Sequence, residues 1–206
     1  MNLPNKGHYL GSVPVHDEPL ICVFDHFVSD IEISRLMRAG RKGLVPAQTI
    51  TDDGSINAHG RTGSVCWVTH DHDLTIAALA ARISALISLP LSRAEPFQLV
   101  HYAQSQGYAP HYDGWFHDTE AARRCMERGG QRLVTCLLYL NDVPSGGGTA
   151  FPKLKMAVDA RKGRMLLFHN CQRGTTALHP DSLHGGLPVP QGEKWVCNLW
   201  FRERDF

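Results

Sequence analysis

The chain has no basic run and no stripe of arginine or lysine interleaved with aromatics, and its 206 residues carry a net charge of only +1. That balance leaves no electrostatic footprint for nucleic acid and points to a small molecule or a peptide as partner. No apolar run approaches the length of a membrane span, and the opening "MNLPNKGHYLGSVPVHD" lacks the charged-then-apolar order of a secretory signal. A cytoplasmic protein away from membranes is therefore expected. None of the six cysteines shows CxxC spacing, which removes the usual zinc and dithiol frameworks and leaves them as small apolar residues of the interior. No internal repeat or low-complexity linker divides the chain, and 43% hydrophobic residues can fill a sizeable core. A single domain over 1–206 is expected, with a supporting part over about 1–94 and a catalytic core over about 95–206.

What is present changes character along the chain. Ser29 followed by Glu32 forms a capping box ahead of Ile33, Leu36 and Met37, with Gly40 as the stop. Asp73 caps a second helical run that repeats apolar residues at 76, 79, 80, 83, 86 and 87 and ends before Pro90. From Phe97 onward the period drops to two. "FQLVHYA", "RLVTCLLYL", "RMLLFHN" and "KWVCNLWF" read as strands separated by Gly/Pro loops. "DTEAARRCMERGG" is the exception, a short helix in a long connection, with acidic residues first and arginines later. The outline is two helices backing a sheet, then a mainly β core of roughly eight strands, as in a barrel or two-sheet roll.

His111 and Asp113, in "YAPHYDGW", stand two positions apart at what reads as the end of a strand. Side chains i and i+2 of a strand share a face, and an imidazole and a carboxylate on one face suit a metal. His169, His179 and His184 are candidates for a third ligand. His184 is preferred because it opens "HGGLPVPQGEKW", whose glycines allow close backbone approach and whose Pro/Gly turn leads to Lys194. Two histidines and a carboxylate that leave coordination positions open form the facial triad of non-haem Fe(II) oxygenases. Zinc hydrolysis would accept the same ligands but gives no reason for a lysine on the neighbouring strand. On "KWVCNLWF", Lys194, Val196, Asn198 and Trp200 share a face, as do Gln98, Val100 and Tyr102 on "FQLVHYA".

The segments "FQLVHYAQSQGYAPHYD", "GGQRLVTCLLYLNDVPSGGGTAFP" and "SLHGGLPVPQGEKWVCNLWFR" resemble the prolyl 4-hydroxylase branch of the Fe(II)/2-oxoglutarate dioxygenases, over about residues 95 to 203. "PLICVFDHFVSDIEISRLM" and "RTGSVCW" resemble it more loosely. The resemblance implies a double-stranded β-helix, or jelly roll, with helices packed on its major sheet. It also implies iron held by His111, Asp113 and His184, with 2-oxoglutarate and O2 as cosubstrates, succinate and CO2 as products, and ascorbate as an auxiliary reductant. Lys194 would pair the distal carboxylate of 2-oxoglutarate. Tyr102 matches the family tyrosine that hydrogen-bonds the cosubstrate, and Tyr139 is a second hydroxyl for the same carboxylate. Arg132 matches an arginine associated with substrate and catalysis, and Trp200 borders the same groove. Some relatives carry histidine where this chain has Arg202, which departs from their pattern. Asp113 argues against the halogenating variant, which needs a small residue there.

The leading expectation is hydroxylation of a prolyl residue in a peptide or protein. Hydroxylation of a free amino acid or other small metabolite is the runner-up, and a non-catalytic metal-binding β-barrel is the rival from another class. Two covers are expected over the substrate, from "ITDDGSINAHGRTG" at 50–64 and from the insertion at 114–131.

Overall fold

Alternating apolar residues need two layers to bury both faces of a strand, and the chain supplies them as a sheet on one side and helices on the other. The computed structural model describes residues 9–47, 49–50, 56–57, 60–116 and 119–206, and of 49–50 and 56–57 the backbone path only. Its strands are β1 (Val13–Asp17), β2 (Leu20–Phe24), β3 (Val45–Pro46), β4 (Thr49–Ile50), β5 (Ile56–Asn57), β6 (Ser64–Val68), β7 (Phe97–Tyr102), β8 (Tyr108–His111), β9 (Arg132–Tyr139), β10 (Thr149–Phe151), β11 (Met156–Val158), β12 (Met165–His169), β13 (His184–Gly186) and β14 (Lys194–Arg202). The helices are α1 (Asp30–Gly40), α2 (Leu74–Ile87) and α3 (Glu120–Glu127). An eight-stranded sheet runs β1-β2-β12-β9-β14-β7-β6-β3, a four-stranded sheet runs β11-β10-β13-β8, and β4 pairs with β5. All pairings are antiparallel. This is the jelly roll with helices on its major sheet that the sequence led us to expect. Strands from the N-terminal half sit in the same sheet as the strands of the core.

Strand parity sorts the core into two clusters. Val134, Cys136 and Leu138 of β9, Leu167 of β12 and Cys197 and Leu199 of β14 face the helices. Leu137, Tyr139, Leu166, Phe168 and Val196 face the minor sheet, where Phe151 and Val158 meet them. The period-two strands are thus apolar on both faces, except where β7, β9 and β14 line the site. Ile76, Leu79, Ile83 and Ile87 of α2 are fully buried on the sheet, each stabilising the fold by about 1.5–3 kcal/mol relative to exposure. All six cysteines are free thiols and four are buried.

Local signals set the helix starts as read. Ser29 and Glu32 form both halves of the capping box, and the Asp73 carboxylate accepts from the backbone N–H of Thr75 and Ile76. Glu32 also pairs with Arg82 at 2.7 Å, tying α1 to α2. α1 ends at Gly40 as read, but not by a left-handed glycine cap. The chain passes through it into a short 3-10 turn at Arg41–Gly43, and a Cβ at Gly40 would lie 2.6 Å from Leu99 Cδ2. It is glycine because α1 lies hard against β7. Among the described residues no helix is long and apolar enough to cross a membrane.

Candidate functional site

The register of the minor sheet brings the two imidazoles together. His184 opens β13 directly opposite His111, the last residue of β8, and their ring centres are 4.5 Å apart. The backbones can approach this closely because position 185 is glycine; a Cβ there would lie 2.9 Å from the carbonyl oxygen of Tyr108. Asp113 lies just beyond the end of β8, in the turn rather than on the strand. His111 Nε2 is 3.5 Å from Asp113 Oδ1, and His184 Nε2 is 3.5 Å from Asp113 Oδ2. One ligand atom from each of the three lies within 4.8 Å of the others, the one such group among the described residues. His169 is instead bonded to Tyr9 Oη at 2.8 Å, and His179 Nδ1 accepts from Asp181 N.

Each imidazole is held in the tautomer a metal needs. Nδ1 of His111 lies 2.9 Å from Ala109 O, and Nδ1 of His184 lies 2.9 Å from Ser182 O. A carbonyl can only accept, so each Nδ1 carries the proton and each Nε2 presents a lone pair. Burial pushes His184 down to about 4, which keeps it neutral. Burial alone would raise the Asp113 carboxyl, but His184, His111 and the Arg132 guanidinium beside it outweigh that and hold it below the usual carboxylate range. Two nitrogens and one anionic oxygen in this arrangement fit a divalent iron with open coordination positions.

Thr135 and Asn170, not among the residues singled out from the sequence, join Trp200 in holding the carboxylate in place. Asp113 Oδ2 accepts from Thr135 Oγ1 at 2.7 Å and from Trp200 Nε1 at 2.9 Å. Asn170 Nδ2 in turn donates to Thr135 Oγ1 at 2.9 Å. Thr135 reaches the site because β9 pairs with β14 so that Thr135 lies opposite Trp200. A lone threonine inside the apolar run "RLVTCLLYL" was the available signal.

The triad opens on a cavity of about 330 Å³, and Lys194, Val196, Asn198 and Trp200 line it together, as their parity required. Lys194 lies opposite Tyr102 in the β14–β7 ladder and is 2% exposed. Its Nζ is 5.5 Å from the Tyr102 ring centre and 5.6 Å from that of Tyr139. Burial raises both phenols, so neither offers a negative charge. Among the described residues no carboxylate pairs with Lys194. A buried ammonium facing a cavity without an anion is costly unless a ligand supplies one. The distal carboxylate of a keto acid fits. The Tyr139 hydroxyl is bonded to Thr149 Oγ1 at 2.7 Å, and Thr149, absent from the sequence reading, is the residue that lines the cavity.

The same burial gives a pH dependence. With no anion beside it, Lys194 is pushed down to about 7. Below that pH the charge that a carboxylate recognises is already present and binding is flat; above it a proton must be taken up with the ligand. The apparent Kd for 2-oxoglutarate is expected to weaken about tenfold between about pH 6 and about pH 8. Equilibrium binding to metal-loaded protein without oxygen reads this, and a flat profile would show that the lysine charge is not what holds the ligand.

Away from Lys194 two of the cavity's three arginine neighbours share one carboxylate, while Arg61 donates from Nη2 to the neutral Gln98 Oε1 at 2.8 Å. Arg132 donates from Nε and Nη2 to the two oxygens of Glu95 at 2.6 and 2.7 Å, and from Nη1 to Asp113 O at 3.3 Å. Its guanidinium lies 3.9 Å from the Trp200 ring centre and 5.0 Å from that of Trp115. Arg202 donates to the same Glu95 at 2.8 Å. Trp67, 49% exposed, and Tyr112 stand at the mouth, with Phe116 against Tyr112. Of the 50–64 segment expected as a cover, 51–55 and 58–59 lie outside the described residues.

The 2OG-Fe(II) oxygenase superfamily model matches residues 97–202. Prolyl 4-hydroxylase 5 of Arabidopsis thaliana is 32% identical, over 92% of this chain and 70% of its own. The 2-oxoglutarate complex of the viral collagen prolyl hydroxylase from Paramecium Bursaria Chlorella virus-1 superimposes with a TM-score of 0.70 at 29% identity, covering 88% of this chain and 95% of that one. A Pseudomonas putida prolyl-4-hydroxylase shares the fold, with a TM-score of 0.62 at 19% identity over 89% and 92% of the two chains. The matched span begins at β7 and ends at Arg202, so it contains the triad, Lys194 and the strands that carry them: the chain belongs to the 2OG-Fe(II) oxygenase superfamily, in its prolyl 4-hydroxylase branch.

Proposed function

We propose that this enzyme, an Fe(II)- and 2-oxoglutarate-dependent dioxygenase, hydroxylates a prolyl residue within a polypeptide. His111, Asp113 and His184 hold the iron, and Lys194 with Tyr102 binds the distal carboxylate of 2-oxoglutarate. Bound there, iron and keto acid together supply the activation of dioxygen. The chain's own part is positioning and exclusion of water. Thr135 and Trp200 fix one oxygen of Asp113 by two hydrogen bonds, which leaves the other free for the metal. Lys194 orients the keto acid from its far end, and Leu137 and Val196 give the cavity an apolar wall. The unpaired Lys194 also argues against a non-catalytic metal site, which has no use for a buried cation.

The observation that favours a peptide over a free amino acid is the pairing of the two arginines. A free amino acid brings a carboxylate of its own; of the arginines near the cavity, Arg132 and Arg202 are bound to Glu95, and Arg61 is turned to Gln98 Oε1 at 2.8 Å. The mouth instead offers Trp67, Tyr112 and Trp115, aromatic surface suited to the flat ring of a proline in an extended, polyproline-like segment. Free thiols throughout suit a reducing, cytoplasmic setting, and the whole of 1–206 is taken as one catalytic domain. A panel of proline-containing peptides and free amino acids, read by the mass gain of an oxygen, is expected to show product only among the peptides. Hydroxylation of free proline with every peptide inert would transfer the assignment to a small-molecule substrate.

A further inference from the structure

Arg202 is the last residue of β14, and its surroundings show what the arginine does. It is 2% exposed. Nη1 donates to Glu95 Oε1 at 2.8 Å, while Nη2 donates to the carbonyls of Cys125 at 2.7 Å and Arg128 at 2.6 Å. These are carbonyls of the last turn and C-cap of α3, groups a helix cannot satisfy by itself and which carry its partial negative charge. The guanidinium also lies 4.8 Å from the Trp115 ring centre.

Neighbouring bonds repeat the pattern. Arg204 N donates to Gly129 O at 2.8 Å, and Glu203 N donates to Gln131 O at 2.8 Å. Gln131 accepts from Trp115 N at 2.9 Å and donates to Trp115 O at 2.7 Å, closing the base of the insertion. A planar fork bridges Glu95 from one nitrogen and two carbonyls from another; an imidazole has at most two N–H donors, and an ammonium would have to reach all three acceptors from a single nitrogen.

We infer that Arg202 is a positioning residue that docks the α3 insertion onto β14, making it a fixed wall over the substrate end of the cavity and not a mobile lid. Through Trp115, which lines the cavity, the docked insertion shapes where substrate lies. The peptide readout below rests on the peptidyl reading; the exchange readout does not.

Amide hydrogen exchange on the native protein is expected to show residues 120–130 protected nearly as well as β9 and β14. Arg202→Lys keeps a cation beside Glu95 but loses the fork. It is expected to lose protection over 120–130 while β9 and β14 keep theirs, and to lower kcat/KM for peptide about ten- to a hundredfold with KM for 2-oxoglutarate held. Fast exchange of 120–130 in the native protein, unchanged protection in Arg202→Lys, or a parallel rise of both KM values would overturn the inference. The native measurement decides it even if Arg202→Lys does not fold. If no peptide is a substrate, the peptidyl reading fails while the exchange result still decides the docking.

Discussion

Alanine at His111, Asp113 or His184 is expected to end 2-oxoglutarate turnover and to leave protein that retains little iron after desalting. The three donor atoms lie within 4.8 Å of one another, and each is oriented by a bond of its own: His111 to Ala109 O, His184 to Ser182 O, and Asp113 from Thr135 and Trp200. Loss of any one leaves two protein ligands, too few to hold divalent iron against water. His179→Ala is the control, because His179 accepts from Asp181 N outside this group; that variant keeps its iron and its turnover. An inactive His179→Ala beside an active His184→Ala would reassign the third ligand.

Lys194→Ala is expected to raise the 2-oxoglutarate KM by about 30-fold or more while iron binding persists. Removing one partner of a desolvated, hydrogen-bonded charge pair costs about 2–5 kcal/mol, and 1.36 kcal/mol is tenfold. The magnitude follows from burial: Lys194 is 2% exposed and pairs with no protein carboxylate among the described residues, so in the proposed function the ligand's carboxylate is the partner it loses. Lys194→Arg is also expected to bind poorly. A planar fork does not fit between the Tyr102 and Tyr139 rings, which flank a single point charge at 5.5 and 5.6 Å. An unchanged KM in Lys194→Ala would remove Lys194 from the cosubstrate site.

The features legible in the sequence were those written in local periodicity. Ser29 with Glu32 and Asp73 mark helix starts whatever lies around them, and the period of two in "KWVCNLWF" puts Lys194, Val196, Asn198 and Trp200 on one face before any partner is known. His111 and Asp113 were visible as neighbours, and the glycines after His184 suggested the close approach that β13 makes to β8. What escaped was set by register between distant strands. Thr135 became a partner of Asp113 only because β9 lies beside β14, and Tyr139 turned to Thr149 because β10 brings that hydroxyl within reach. Glu95 carries no local signal of its role, which is set by Arg132 and Arg202 reaching it from β9 and β14. Strands of two or three residues, such as β3, β10 and β11, are too short to show a period.

The most direct measurement is isotopic. Purified protein with Fe(II), 2-oxoglutarate and a proline-rich peptide is supplied with heavy-isotope dioxygen, and succinate and peptide are weighed. Heavy oxygen is expected in both products in equal amounts, with the label in the peptide located on proline. Succinate without label, or labelled succinate beside a peptide that gains none in any proline-containing sequence, would contradict a dioxygenase that hydroxylates prolyl residues.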